Sequence, residues 1–172
     1  MIIQADGFLI RPVRDDELAA ILDVYRQCED FLALTPKPIA TMEIVQEDFT
    51  LSQQNNGVFC GIYDAAGTMM GIVDVVLNGF EGDSATAFIE LLMIGMPYRR
   101  TGLGSKVIAA VEAEIARDSS VSTILLAVMV NNPAAIRFWE HLGYVKCAGP
   151  LDEADGTTVW RLKKSTRQIL NS

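Results

Sequence analysis

Apolar residues recur along the chain at two spacings, one typical of helices and one typical of strands. Residues 8–13 alternate between apolar and polar positions and predict a first strand. Apolar residues at helical spacing follow, and Asp15 or Asp16 is placed to cap the helix that they predict. Two prolines make residues 34–39 a loop, and a second helix is predicted over residues 41–53. The N-terminal part is therefore predicted to be one strand followed by two helices.

The rest of the chain combines short apolar runs with two longer helical patterns. The runs are bounded by turn-forming residues and predict strands at residues 58–63, 69–77, 85–96, 121–130, 144–147 and 157–162. One helix is predicted over residues 103–118, and another begins at Asn132-Pro133 and ends before Gly143. The polar tail, residues 163–172, is expected to fray.

Together these patterns predict an α+β (mixed α/β) fold with about seven strands and about four helices. The strands predicted at residues 58–63, 69–77 and 85–96 follow one another as an antiparallel meander. The run at residues 121–130 is nearly all apolar, which is typical of a central strand covered on both faces. The chain has 172 residues, the size of one ordinary domain, so a single domain over residues 1–172 is expected.

Acidic residues outnumber basic ones, 22 to 14, which gives a net charge of −8. This excess disfavours non-specific binding to nucleic acid or to an anionic membrane surface. It is compatible with a cationic small molecule or a basic peptide end as a partner. No apolar run reaches the roughly 18 residues of a membrane span, and no segment has the features of a signal peptide. We therefore expect neither nucleic acid nor membrane as a partner.

The three cysteines, Cys28, Cys60 and Cys147, are far apart and have no CxxC spacing. An odd number of distant cysteines argues against both a disulfide framework and a zinc site. We expect reduced cysteines in a cytoplasmic protein, and no metal.

A glycine-rich loop joins the strand predicted at residues 85–96 to the helix predicted at residues 103–118. It reads Arg99, Arg100, Thr101, Gly102, Leu103, Gly104 and Ser105. Glycines let the backbone turn tightly and approach a ligand, while the helix N-terminus adds unpaired N–H groups and a positive dipole end. The loop suits a pyrophosphate, although by itself it is equally compatible with a structural turn. The spacings of the Rossmann and Walker A loops are absent.

Two segments, in order along the chain, carry a resemblance to a known family. The first is Arg99-x-x-Gly102-x-Gly104, and the second runs from Asn132 to Gly143-Tyr144. The pair resembles the signatures Q/R-x-x-G-x-G/A and N-x-x-A-x-x-x-Y-E-x-x-G-F of the GNAT acetyltransferase superfamily. The resemblance implies the GNAT fold, with a central, mostly antiparallel sheet flanked by helices. It also implies acetyl-CoA as the acyl donor.

The resemblance assigns a cofactor role to a set of positions in and around the loop. They are Leu92, Met93, Ile94, Arg99, Arg100, Thr101, Gly102, Leu103, Gly104, Ser105, Asn132 and Trp139. The strand backbone is expected to pair with the pantetheine arm, and the loop amides are expected to hold the pyrophosphate. Arg99 is expected either on a phosphate or in solvent. Gly95 is expected to mark an irregularity in the strand.

Transfer to an amine needs a group that takes a proton from the attacking nitrogen. Glu90 lies two residues before the predicted pantetheine contact and, by strand alternation, on the same face as Leu92 and Ile94. It is the candidate base, or else a groove carboxylate that only attracts a cationic amine. Asp74 lies in an earlier strand, where a solvent-facing position is favoured over a place in the acceptor groove.

In many members of the family, a tyrosine on the helix after the asparagine protonates the departing thiolate. Trp139 occupies that position here, and its indole N–H is too weak an acid to replace a tyrosine. Tyr144 and Tyr98 are the candidate substitutes.

These features predict an acetyl-CoA-dependent N-acetyltransferase that acts on a primary amine of a small molecule or peptide, by direct attack on the thioester. The tryptophan keeps an alternative open, namely a non-catalytic GNAT-fold module that binds acyl-CoA or a protein partner. A polyamine, an aminoglycoside, an amino acid and a protein N-terminus all remain candidate acceptors. Residues 29–39 are predicted to form a lid on the acceptor side. Homodimers are common in the family, and the sequence leaves the oligomeric state open.

Overall fold

Eight strands and six α-helices form the described part of the chain, residues 1–170 of a computed structural model. The strands are β1 (Ile3–Ala5), β2 (Phe8–Pro12), β3 (Val58–Tyr63), β4 (Met69–Val76), β5 (Thr86–Ile94), β6 (Thr123–Met129), β7 (Val145–Asp152) and β8 (Thr158–Ser165). The helices are α1 (Leu18–Arg26), α2 (Glu29–Leu32), α3 (Met42–Gln54), α4 (Leu103–Ile115), α5 (Pro133–His141) and α6 (Thr166–Leu170).

All strands belong to one mixed sheet with the order β1-β2-β3-β4-β5-β6-β8-β7. The neighbours from β1 to β5 pair antiparallel. β5 and β6 form the parallel pair, since α4 carries the chain back along the sheet between them. β8 lies between β6 and β7 and pairs antiparallel with both. The predicted α+β class with a mostly antiparallel sheet is confirmed, with one strand and two helices more than expected.

Helices cover both faces of the sheet and create two apolar cores. α4 buries its predicted stripe, Ile108 among it, against one face. α1 and α3 bury residues such as Ile21 and Val45 against the other face. Each fully buried side chain of this kind contributes roughly 1.5–3 kcal/mol, so the two layers hold the middle of the sheet firmly. Within residues 1–170, no helix is both long and apolar enough to cross a membrane.

The start of the chain differs from the prediction in its details. β1 and α2 are too short to produce a clear periodic pattern, and neither was predicted. Neither Asp15 nor Asp16 caps α1. The carboxylate of Glu17 instead receives two hydrogen bonds from Arg11, at 2.7 and 2.8 Å, and one from the backbone N–H of Arg14, at 2.9 Å. A short 3-10 turn, Asp15–Glu17, therefore leads into the helix.

The prediction that residues 163–172 fray is wrong for the part that the structure describes. Residues 163–165 complete β8, and α6 follows directly. Thr166 is buried, its Oγ1 donates to the carbonyl oxygen of Val121 at 2.9 Å, and its N–H donates to that of Ser122 at 3.0 Å. These bonds fasten the segment to the chain before β6, which a count of polar residues cannot reveal. Residues 171 and 172 lie outside the described residues.

Candidate active site

A cavity of about 710 Å³ opens between β5 and β6. One wall is formed by residues 89–94 of β5, and the opposite wall by residues 127–129 of β6. Residues of α2, the glycine loop, α5 and β8 close the remaining sides. The volume is typical of a site for a small molecule or cofactor. The cavity thus brings the two sequence motifs together in one place.

β5 and β6 are hydrogen-bonded only over their first residues. Pairing begins with Thr86 opposite Thr123 and stops after Ile89 opposite Leu126. Beyond that point β5 pairs only with β4, and β6 pairs only with β8. Residues 90–94 therefore turn one backbone edge toward the cavity, and an extended ligand can pair with such an edge as an added strand does.

Positive φ angles at two positions shape the glycine loop. Arg100 has a φ of 62° and Gly102 a φ of 83°, on either side of Thr101. Alternation of this kind turns successive N–H groups toward one side, which makes a concave anion-binding surface. α4 begins immediately afterwards, and its N-cap is Gly102, which has no side chain to cap the free N–H groups. The loop residues that line the cavity are Arg99, Arg100, Gly102, Gly104 and Ser105.

Thr101 and Leu103 do not line the cavity. Thr101 Oγ1 donates to the carbonyl oxygen of Tyr98 at 2.7 Å and closes the turn before the helix. Leu103 packs against the core under α4. A cofactor role for these two residues depends on their backbone amides and stays a prediction.

The Arg99 side chain is held by hydrogen bonds within the protein. Its Nη1 and Nη2 donate to the two carboxylate oxygens of Asp30, at 2.7 and 3.1 Å. Its Nε donates to the carbonyl oxygen of Ile94 at 2.8 Å, and Nη2 donates to that of Gln27 at 3.1 Å. The Ile94 carbonyl at the end of the open strand edge is therefore already occupied. The prediction of an Arg99 side chain that simply points to solvent is wrong, because its partner Asp30 lies far away in sequence. A contact between Arg99 and a phosphate stays a prediction.

α5 contributes a polar side chain and an aromatic wall. The Asn132 side chain accepts a hydrogen bond from the N–H of Ala135 at 3.0 Å and so caps the helix, while the residue also lines the cavity. Trp139 is buried, lines the cavity and makes an edge contact with Phe138 at 5.1 Å between ring centroids. Phe138 in turn lies close to Gly104, where an added Cβ would stand 3.5 Å from its ring. The helix and the glycine loop thus pack directly on each other.

A β-bulge puts Glu90 in the cavity wall. In the β4–β5 ladder, Asp74 pairs with Leu91 and Val75 pairs with Ile89, so Glu90 is the extra residue between them. Ile89 packs in the core on the α4 face, whereas Leu91 packs in the core on the α1–α3 face.

The alternation of faces therefore breaks between Ile89 and Leu91, while Leu92 and Ile94 pack on the α4 face; the shared face of Glu90 with these two residues stays a prediction. The strand irregularity also lies at Glu90 and not at Gly95, which follows the end of β5. A single extra residue leaves no mark in the hydrophobic pattern, so only the pairing of the strands reveals it.

Burial raises the pKa of the Glu90 carboxyl to about 7. The charge of Asp74 pushes the pKa the same way, Arg161 on β8 opposes it, and Glu153 in the turn between β7 and β8 adds a smaller upward effect. A carboxyl group that titrates near neutral pH is well matched to taking and returning a proton.

Asp74 is 4% exposed, so the prediction of a solvent-facing position is wrong. Its Oδ1 accepts a hydrogen bond from Ser52 Oγ on α3 at 2.7 Å. Burial raises the pKa of its carboxyl to about 6, and the Ser52 hydrogen bond limits the rise. A second acidic group therefore lies behind the cavity wall next to the bulge.

Tyr144 does not line the cavity, so we withdraw it as the acid. The residue is 1% exposed and packs edge-on to Trp139 at 5.3 Å, with Lys164 Nζ 5.5 Å from its ring centroid. Burial raises the pKa of its hydroxyl, and the carboxylate of Glu112 raises it further. Of the two candidate tyrosines, only Tyr98 lines the cavity.

The cavity wall also includes residues from two segments that are far apart in the sequence. Asp30, Phe31 and Thr35 come from the segment predicted to form a lid, and they do line the cavity. Asp155 and Thr157 come from the turn between β7 and β8, and sequence reasoning missed them. The only local signal there is the Asp-Gly turn at residues 155–156, and it indicates a hairpin without indicating a site.

All three cysteines are free thiols; Cys28 and Cys60 are buried and Cys147 is exposed. A search of residues 1–170 finds no group of three or more acidic, histidine or cysteine side chains arranged to hold a metal ion.

A family model described as the Acetyltransferase (GNAT) family matches residues 18–144. The chain belongs to the GNAT acetyltransferase family. No curated protein matches the sequence of this GNAT protein.

Solved structures with the same fold include several acetyltransferases. A spermidine N-acetyltransferase from Vibrio cholerae, in complex with CoA and spermine, superposes with a TM-score of 0.74 at 17% identity, over 97% of this chain and 100% of the other. An acetyltransferase from Thermus thermophilus superposes with a TM-score of 0.74 at 21% identity, over 96% and 99% of the two chains. This GNAT protein therefore has the fold of complete acetyltransferase chains, and identities at this level support the fold alone.

Proposed function

We propose that this GNAT protein is an N-acetyltransferase that moves the acetyl group of acetyl-CoA to a primary amine of a cationic small molecule or peptide. One observation carries the proposal. The open backbone edge of β5 lies between an anion-binding loop and Glu90, and all three face one cavity. The cavity therefore offers complementary groups both to a thioester that carries a pyrophosphate and to an amine.

The donor side is made mainly of backbone groups. The amides of residues 100–105, at the start of α4, would hold the pyrophosphate, since the N-cap Gly102 has no side chain to occupy them. The open edge at Leu92 and Met93 would pair with the pantetheine arm, and Asn132 and Trp139 would line its path. Acetyl-CoA supplies the thioester carbonyl that the amine attacks.

The acceptor nitrogen must lose a proton before or during attack, because a protonated amine is not a nucleophile. Glu90 is the base in this proposal. Its carboxyl group stands at the bulge beside the open edge, and the pKa of about 7 leaves a large ionised fraction near neutral pH.

The thiolate of CoA leaves as the tetrahedral intermediate collapses. Trp139 cannot protonate it, and Tyr144 is buried away from the cavity. Tyr98 is the tyrosine that remains in the cavity wall. Transfer does not depend on a strong acid here, because a thiolate is a tolerable leaving group near neutral pH.

The acceptor side is acidic. Glu90 and Asp155 line the cavity, and Glu153 acts on Glu90 from the same turn as Asp155. Carboxylates in a confined cavity attract a cationic amine and concentrate it there. The spermine bound to the Vibrio cholerae enzyme is such a molecule, so polyamines are the first acceptors to test.

The test is a thiol-release assay with acetyl-CoA and a panel of polyamines, aminoglycosides, amino acids and peptides, with mass spectrometry to identify the acetylated product. We expect release above background with at least one cationic amine, and its loss in Glu90→Gln. Glu43→Gln, at an exposed position of α3, is the matched control that should retain activity.

The presence of Trp139 at the usual tyrosine position favours one alternative, a module that binds acyl-CoA without transfer. Calorimetric titration with CoA separates the two. Binding of CoA with no acetylated product from any acceptor would favour the binding module, and no binding at millimolar CoA would contradict both.

A further inference from the structure

Arg99 uses four of its five N–H donors within the protein. Two go to the Asp30 carboxylate, one to the Ile94 carbonyl and one to the Gln27 carbonyl. The guanidinium group of Arg99 and the carboxylate of Asp30 form a fork-to-fork pair, the geometry that makes such ion pairs specific. Little donor capacity remains for a phosphate, although Arg99 is the first residue of the loop signature.

These bonds join three segments that meet at one corner of the cavity. Gln27 follows the end of α1, Asp30 lies in α2 on the cavity wall, and Ile94 ends the open edge of β5. Cys28 Sγ donates to the same Ile94 carbonyl oxygen, at 3.5 Å. α2 has only four residues, too few to hold its own position, so the segment depends on such anchors.

We propose that Arg99 is a positioning residue for the acceptor: it holds the α2 wall of the cavity against the open end of β5 through Asp30, and it does not bind the donor's phosphates. The proposal rests on the proposed function in one respect, namely that α2 borders the acceptor.

The charges at this corner agree with that role. The Arg99 guanidinium lowers the pKa of the Asp30 carboxyl, and the Asp30 carboxylate raises the pKa of Arg99. The Asp30 carboxyl group is thus ionised, and the positive charge of Arg99 balances its negative charge. The carboxylates left on the cavity wall to attract a cationic acceptor are those of Glu90 and Asp155. The side chain of Arg99 is 30% exposed and that of Asp30 is 61% exposed, so the pair has a modest effect on stability and acts mainly on geometry.

The test compares Arg99→Gln, Asp30→Asn and the double variant in two measurements, the Kd for CoA by calorimetry and the KM for the acceptor by thiol release. Each single variant should raise the acceptor KM about fivefold, the most that a half-exposed ion pair commonly supplies. The kcat and the Kd for CoA should each change less than about twofold, and the double variant should resemble Arg99→Gln, because the two residues act as one unit.

A phosphate-binding role for Arg99 makes the opposite prediction. Arg99→Gln would then weaken CoA binding, while Asp30→Asn would release the guanidinium and leave CoA binding unchanged or tighter. That pair of results would overturn the proposal.

Hydrogen exchange in the free protein supplies a readout that needs no activity. Amides of residues 28–35 should exchange faster in both single variants. They should not do so in Asp23→Asn, which breaks the exposed Arg26–Asp23 pair on α1 and leaves the cavity wall intact. Unchanged exchange in Arg99→Gln would overturn the positioning role. An inactive wild-type protein with faster exchange in the variants would overturn only the proposed function.

Discussion

The two sides proposed for the cavity use different groups of the chain, backbone groups on one side and side chains on the other. The proposed donor side uses backbone groups, namely the turn at residues 100–102, the start of α4 and the open edge of β5. The proposed acceptor side uses side chains from distant segments, namely Glu90, Asp30 and Asp155. A backbone site needs glycines at fixed spacing and is therefore visible as a local motif. A side-chain site leaves no such motif, because its members meet only through the fold.

The largest effect is expected on the proposed acceptor side, and it tests whether Glu90 is the base. Glu90→Gln removes the proposed base and keeps the shape of the side chain, so kcat should fall about 100-fold or more, as for other general bases. The Kd for CoA, measured by calorimetry, should change little, because the proposed donor side is made of backbone. A Glu90→Gln enzyme with wild-type kcat would show that the carboxylate only attracts the amine.

The next effect is expected on the proposed donor side, and it tests whether the glycine loop binds CoA. Gly102→Glu places a carboxylate where the pyrophosphate would bind, and an added Cβ at Gly102 meets no atom within 4 Å, so the side chain has room. We expect CoA to bind about 100-fold more weakly through like-charge repulsion.

The control for this change is Gly102→Ala, which imposes the same strain at a φ of 83° without the charge. If both variants lose CoA equally, backbone strain and not charge explains the loss.

A smaller effect concerns pH. Glu90 must be ionised to act as a base, so activity should rise with pH through about 7, its pKa in the folded protein. Asp74→Asn removes a buried negative charge that raises this pKa, so the acidic limb of the kcat/KM profile should move to lower pH. Asp48→Asn changes a carboxyl group that acts on Asp74 and is not among the charges that shift Glu90, and it is the control. An unmoved limb in Asp74→Asn would mean that the two carboxyls do not interact.

The smallest effect lies outside the comparison and tests the C-terminal segment. Thr166→Val keeps the shape of the side chain and removes the buried hydrogen bond to the Val121 carbonyl. The free energy of unfolding should fall by about 1–2 kcal/mol, measured by denaturant titration, because the carbonyl loses a partner away from water. Thr50→Val, at an exposed position of α3, is the matched control. Equal stability of the two variants would mean that the segment contributes little to the fold.

The sequence by itself determined the order of most elements, the fold class and the place of the glycine loop. Periodicity and turn residues are local properties, so β3, β4, α4 and α5 were predicted close to their observed ends. Glycine at position 102 and Pro133 after Asn132 also have local physical reasons, a positive φ and the first turn of a helix.

Only the tertiary structure decided what those residues do together. The bulge at Glu90 depends on the register of β5 against β4, and the burial of Asp74 depends on α3 crossing above it. Arg99 lies in the loop motif, yet its side-chain partner is Asp30. Tyr144 packs in the core against Trp139 of α5 and Lys164. Contacts between residues far apart in sequence are set by how the elements pack. The local pattern could therefore mark where the glycine loop lies, but not which carboxylates line the cavity.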